Sequence, residues 1–377
     1  MKKLFRKQEA VILIIMGTLA ILIVVNDKNN NSMTSGTQQD PDKNLPLKQT
    51  HRPLHMWWKR NSCSLNAMNN NLPGFSDLPD HIKDFLRYRH CKHFQILQDI
   101  PNKCVSPEQS KEIFLLLVIK SSPENYERRE VIRKTWGQER TYEGVQVHRL
   151  FISGVNSNRM SAKKSNQIIQ LENQQYQDIL QWDFHDTFFN LSLKQVLFFK
   201  WKEKNCPGVK FLLNGDDDVF VNTENVVHYL KGFRSDRHLF VGTLIMNVGP
   251  IRAKWSKYYV PEQVTTLNSY PPYCGGGGFL MSDFTAKAIY NASLNLMLFP
   301  IDDVYIGMCL QKAGLFPSSH MGIRTAGVHA PSENTDTFDP CFYQELLLVH
   351  RFAPYEMVLM WQAIHDATLK CGASAPK

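Results

Sequence analysis

Residues 113–119 contain no polar position, which predicts a strand buried on both faces of a sheet. Residues 128–136 then follow with helical spacing, and a second strand is expected at 147–153. Helical patterning returns at 163–178 and 192–204 and leads into another apolar run that begins at Phe211. Thr223 to Leu230 reads as a capped helix. Strands and helices alternating at these lengths predict an α/β fold with a mostly parallel, doubly wound sheet. Beyond Phe240 the pattern is more mixed, and no internal repeat is present.

A different pattern opens the chain. Lys2, Lys3, Arg6 and Lys7 precede an apolar or small stretch at 10–25, and the polar run from Asn26 to Asn31 follows it. This predicts a signal anchor, with residues 1–9 as a cytosolic tail and the bulk of the protein lumenal. A cleaved signal peptide is the competing reading, but no small-x-small cleavage site follows Val25. Residues 26–79 are rich in Asn, Ser, Gln, Lys and Pro and read as a stem, leaving 80–377 as one large lumenal domain.

Eight cysteines among 377 residues fit an oxidising lumen, and the absence of a CxxC spacing argues against a zinc site. The pairing is left open. Sequons at Asn190 and Asn291 are expected glycan acceptors in such a compartment. The net charge of +8 is scattered along the chain and gives no reason to expect nucleic-acid binding.

The densest chemistry lies at Asp216-Asp217-Asp218, framed by apolar residues on both sides and preceded by Gly215. An acidic surface turn or a helix N-cap would account for three aspartates, but neither explains the apolar frame. In an extended strand Asp216 and Asp218 would share a face, and two convergent carboxylates suit Mg²⁺ or Mn²⁺ together with a substrate phosphate. Asp302 and Asp303 follow Pro300 at an expected helix start, where capping competes with a catalytic role. Arg129 and Arg133 share a helix face, with Arg128 adjacent; a diphosphate contact competes with a solvated face paired to Glu127 and Glu130. His350 ends an apolar run, where a core histidine competes with a ligand, and Trp136 reads as core. Gly275 to Gly278 remove every Cβ from four positions and would let backbone approach a ligand.

Five motifs stand in a recognisable order: Glu127 to Gly137, Asp216 to Phe220, Tyr258 to Pro261, Tyr273 to Gly278, and Asp302 to Gly307. Together they resemble the Golgi β-1,3-glycosyltransferases of glycosyltransferase family 31, in the β-1,3-N-acetylglucosaminyltransferase branch. Residues 85–91 and 179–186 are most similar to the members that extend mucin-type core 1 chains. The resemblance implies a GT-A fold, a UDP-N-acetylglucosamine donor, Mn²⁺ or Mg²⁺, and inverting transfer to O3 of a terminal galactose, including poly-N-acetyllactosamine synthesis. It also implies a single-pass type II Golgi membrane protein whose partners are the UDP-sugar and a galactose-terminated glycan; oligomerisation is left open.

By the same resemblance Asp303 is the catalytic base, Asp218 and His350 are metal ligands, and Asp216 contacts the nucleotide sugar. Asp217 takes a supporting role on the donor side, and Arg129, Arg133, Gly276 and Gly277 are placed beside the donor. A β-1,3-galactosyltransferase of the same family and a non-catalytic lumenal binding protein on this scaffold are the alternatives.

Overall fold

The computed structural model describes residues 63–104, 106, 108–327 and 336–371. The expected anchor at 10–25 and most of the expected stem lie outside them. Among the described residues no helix is long and apolar enough to cross a membrane.

Helix α1 (Asp80–Tyr88) and the short strand β1 (Ile96–Gln98) lead to β2 (Ile113–Lys120), in which all eight residues are buried. The chain continues through α2 (Tyr126–Lys134), β3 (Thr141–Tyr142), β4 (Val145–Val155) and α3 (Arg159–Tyr176). Strand β5 (Ile179–His185), α4 (Leu191–Asn205) and β6 (Phe211–Asp216) complete the first half. Strands β5, β4, β2 and β6 lie side by side in that order and run parallel, as the alternating pattern predicts. The connections wind to opposite sides of β2, so the carboxyl ends of β2 and β6 flank a topological switch point, where open α/β sheets hold their ligands. Lys120 and Asp216 stand opposite each other there.

The second half is mixed, as its pattern suggested. It contains β7 (Val219–Val221), α5 (Thr223–Lys231), β8 (Phe240–Gly242), β9 (Leu244–Ile245), β10 (Tyr273–Cys274) and β11 (Gly278–Ser282). Helices α6 (Asp283–Leu294) and α7 (Asp302–Lys312), strands β12 (Ser318–Ser319) and β13 (Ile323–Arg324), helix α8 (Pro340–Tyr343), strand β14 (Leu348–His350) and helix α9 (Pro354–Ile364) follow. Strand β11 adds to β6 in antiparallel fashion and pairs with β8 on its other edge, giving a nine-stranded mixed sheet. Strand β14 pairs antiparallel with β7 and brings His350 opposite Val219.

Apolar side chains on the two faces of the sheet feed two cores. Leu116 and Val118 of β2 enter one with α4, α6 and α7, whereas Leu115, Leu117 and Ile119 enter the other with Ile132 and Trp136. Each fully buried leucine contributes about 1.5–3 kcal/mol relative to exposure, and that stiffens the strand whose end carries Lys120. Phe75 and Leu78, which composition assigned to the stem, are buried in the first core. Disulfides join Cys63 to Cys91, Cys104 to Cys206 and Cys341 to Cys371, while Cys274 and Cys309 are free and buried.

Candidate active site

Strand β6 ends at Asp216, and Asp217 and Asp218 form a tight turn before β7. The aspartates therefore do not sit on one extended strand, because the chain must reverse to start β7. The turn still separates them as expected. Asp216 and Asp218 face the same side as His350, and one ligand atom from each lies within 4.8 Å of the others. Asp217 turns away, is buried, and accepts a hydrogen bond from Asn125 Nδ2 at 2.8 Å. Burial pushes its carboxyl upward. The triplet is thus an acidic turn after all, but one enclosed by the domain.

His350 Nε2 stands 3.1 Å from Asp218 Oδ1 and 3.9 Å from Asp216 Oδ2. Its Nδ1 is 3.3 Å from the Thr325 carbonyl, which can only accept, so this nitrogen carries the hydrogen and the Nε2 edge is directed at the carboxylates. Burial disfavours the charged imidazole, yet the bond to Asp218 and the charges of Asp218 and Asp216 raise its pKa overall. Burial likewise pushes Asp218 upward, but His350 and Arg128 hold it below the ordinary carboxylate value. Two carboxylates and one imidazole form a donor set that fits Mn²⁺ and is less suited to Mg²⁺, which prefers oxygen alone.

Lys120 connects this group to the next. Its Nζ lies 2.9 Å from Asp216 Oδ1 and 2.8 Å from Asp302 Oδ2. Burial alone would discharge it, but the two carboxylates keep it protonated. Asp302 is the first residue of α7 and makes no cap hydrogen bond, so the capping reading gives way to this buried ion pair. Asp303 projects beside it, accepting from its neighbour Val304 N–H at 2.8 Å and from Gly276 N–H at 3.0 Å. Burial and then the charge of Asp302 push the Asp303 carboxyl up to about 7, against the pull of Lys120 and both amides.

The glycine run joins the two groups. While Gly276 N–H reaches Asp303, the Gly277 carbonyl accepts from Asp216 N–H at 2.9 Å. Gly277 has φ +104°, and a Cβ there would lie 2.8 Å from the His350 ring. Both the handedness and the close approach call for glycine.

Lys120, Asp216, Asp217, Asp218, Gly276, Asp302, Asp303 and His350 line one cleft of about 1020 Å³. Its other wall is apolar and aromatic, with Phe188, Ile251, Tyr258, Tyr270 and Tyr273. Phe188 and Tyr258 meet edge to face at 5.5 Å, and Lys257 lies over both rings. One wall is suited to a charged group and the other to the hydrophobic face of a sugar.

Two expected donor contacts are elsewhere. Arg129 is buried and forks onto Glu172 at 2.7 and 2.8 Å, while Arg133 forks onto Asp178 with two bonds of 2.9 Å and also reaches Glu172. Neither lines the cleft, and neither is solvated; both tie α2 to α3 and the start of β5. Their helical spacing was read correctly, but the face they share points into the core. The neighbouring Arg128 faces the cleft instead, 3.5 Å from Asp217 and 3.7 Å from Asp218. Lys120 was missed. Its signal was a lone cation ending a fully apolar strand. Trp136 is core, as expected. Of the two sequons expected to carry glycans, Asn291 is exposed on α6, whereas Asn190 is half-buried and donates its amide to the His185 carbonyl at 2.9 Å.

A family model described as galactosyltransferase matches residues 127–320. Human N-acetyllactosaminide β-1,3-N-acetylglucosaminyltransferase 3 is 58% identical over 82% of this chain and 82% of its own length. Human acetylgalactosaminyl-O-glycosyl-glycoprotein β-1,3-N-acetylglucosaminyltransferase is 52% identical over 82% of this chain and 80% of its own. Among solved structures, a galactosyltransferase with donor and acceptor sugar analogues is 12% identical over 65% of this chain and 94% of that one, with a TM-score of 0.33, too low to carry an argument.

Proposed function

The chain belongs to the galactosyltransferase family, among its β-1,3-N-acetylglucosaminyltransferases, and from that premise we propose how its cleft moves N-acetylglucosamine from UDP-N-acetylglucosamine to O3 of a galactose. The observation that carries the reading is the glycine bridge, which sets an Asp303 carboxylate and the Asp216, Asp218 and His350 group in one cleft. Inverting transfer needs both: a base for the attacking hydroxyl and charge neutralisation for the departing nucleotide.

Asp218 and His350, with Asp216 beside them, would hold a divalent cation, Mn²⁺ by the chemistry of the donor set. When bound, that ion supplies positive charge to the diphosphate. Each oxygen of Asp303 accepts one backbone N–H and retains a second lone pair for the acceptor. As the galactose O3 forms its bond to the anomeric carbon, its proton passes to Asp303. The bond from that carbon to the β-phosphate oxygen breaks, and the electron pair leaves with UDP. Single attack from the opposite face gives the β-linkage. Lys120 fixes Asp216 and Asp302, so the metal-side and base-side carboxylates keep their spacing. The aromatic wall at Tyr258, Tyr270 and Tyr273 is where the acceptor sugar would lie.

The reading extends to a GT-A fold and to a type II Golgi membrane protein, supported by the cationic and apolar N-terminal pattern and by three disulfides in the folded domain. Galactose-terminated glycoprotein or glycolipid glycans are the acceptors we assign, mucin-type core 1 and poly-N-acetyllactosamine chains first. Asn291 is the glycan acceptor favoured by exposure.

A parallel assay with labelled UDP-N-acetylglucosamine and UDP-galactose, with and without Mn²⁺, tests the whole reading. Transfer from the first donor alone, lost in Asp218→Ala, is the expected result. Transfer only from UDP-galactose would replace the donor assignment, and no transfer from either would point to a binding protein.

A further inference from the structure

Arg351 directly follows His350 and has φ +77°. A left-handed backbone strains a bulky residue, and glycine is the usual solution. The conformation itself has a clear purpose. It lets the amides of Arg351 and Phe352 converge on the Asp218 carbonyl, at 2.9 and 2.8 Å, pinning the acidic turn to the end of β14. Glycine would make the same two bonds without strain, so the presence of arginine needs a reason in its side chain.

That side chain is exposed and lines the cleft. Among the described residues it forms no side-chain hydrogen bond or ion pair. Of the other cations of the wall, Lys120 pairs with Asp216 and Asp302, Lys194 with Asp186, and Arg128 with Asp217 and Asp218, while Lys257 lies over the Phe188 and Tyr258 rings on the aromatic side. The nearby Glu356 accepts from Ala353 N–H at 2.7 Å and, among the described residues, forms no ion pair with Arg351. Among the described residues three further non-glycine positions have positive φ, and none of them lines the cleft: Glu143, Gln177 and Asn247.

We propose that Arg351 is a catalytic residue that grips the diphosphate of the nucleotide donor and takes up the charge that develops on UDP as the sugar leaves. This rests on reading the cleft as a UDP-sugar site. Among the described residues the guanidinium is the one cation next to the Asp218 and His350 group without an ion pair, and its fork matches phosphate oxygens. The strained backbone holds the root of the side chain at a fixed place, so less ordering is needed on binding.

Titration of the full chain in detergent with UDP and with uridine, both with Mn²⁺ present, tests the assignment. Arg351→Gln should weaken UDP about tenfold while leaving uridine unchanged, and should lower kcat more than it raises the donor KM. Arg351→Lys should recover part of the UDP affinity. Arg351→Gly should lose UDP as the glutamine variant does, with a thermal midpoint no lower than wild type, because relief of backbone strain offsets the added chain freedom. UDP affinities within twofold of wild type in all three variants would overturn the inference, as would parallel loss of UDP and uridine. Failure of the wild-type protein to bind UDP would instead remove the donor site itself, and the inference with it.

Discussion

Two groups of buried charge lie on either side of helix α2, and they are built differently. In the first, Arg129, Arg133 and Arg149 enclose Glu172 and Asp178, and both carboxylate oxygens of each acid accept from guanidinium groups. In the second, among the described residues, Asp218 and His350 share a single close contact and Asp303 accepts hydrogen bonds only from backbone amides. The first is saturated from within the chain. The second has acceptor capacity left over, directed at a cleft. Burial of charge therefore does not identify a site, whereas burial with unfilled valence does.

The contrast is tested most severely by Asp303→Asn. Loss of the base should lower kcat by about a thousandfold, with UDP affinity retained. Arg133→Ala should do the opposite: leaving Asp178 short of a partner costs about 3–5 kcal/mol of stability, read in thermal or denaturant unfolding, while UDP affinity of the protein that remains folded is unchanged. If Arg133→Ala weakened UDP binding in folded protein, the two groups would not be separable. A smaller effect is expected from Gly277→Ala, which forces a Cβ toward the His350 ring; about a tenfold fall in kcat and a weaker apparent Mn²⁺ affinity should follow.

The gentlest test is pH. Asp303 acts as the carboxylate and its pKa is raised to about 7, so kcat/KM should be full above that pH and fall as pH drops through it. Because the charge of Lys120 pulls this pKa down, Lys120→Met should move the acid limb to higher pH. An acid limb unchanged by that variant would place the titrating group elsewhere.

Much of this was legible along the chain. The run at 113–119 and the alternation that follows it specify the parallel half of the sheet, because buried strands and amphipathic helices each impose their own period. The acidic triplet and Asp303 could be singled out by composition and motif order. What could not be read was direction. Arg128 and Arg129 are neighbours, and the one-residue rotation on a helix that sends one to the cleft and the other to Glu172 depends on how α2 packs. Asp302 looked like a cap until the far end of β2 supplied Lys120, a contact spanning 182 positions. His350 could be matched by resemblance, but its approach depends on β14 pairing with β7, which no local pattern encodes.

The bond between Cys104 and Cys206 has a mechanical side. It staples the entries to β2 and β6, two paired strands whose opposite ends carry Lys120 and Asp216. The two strands are thus joined at both ends, by the disulfide at their entries and by the Lys120–Asp216 ion pair at their exits. A reducing agent that reached this staple should loosen the grip on nucleotide well before the domain unravels.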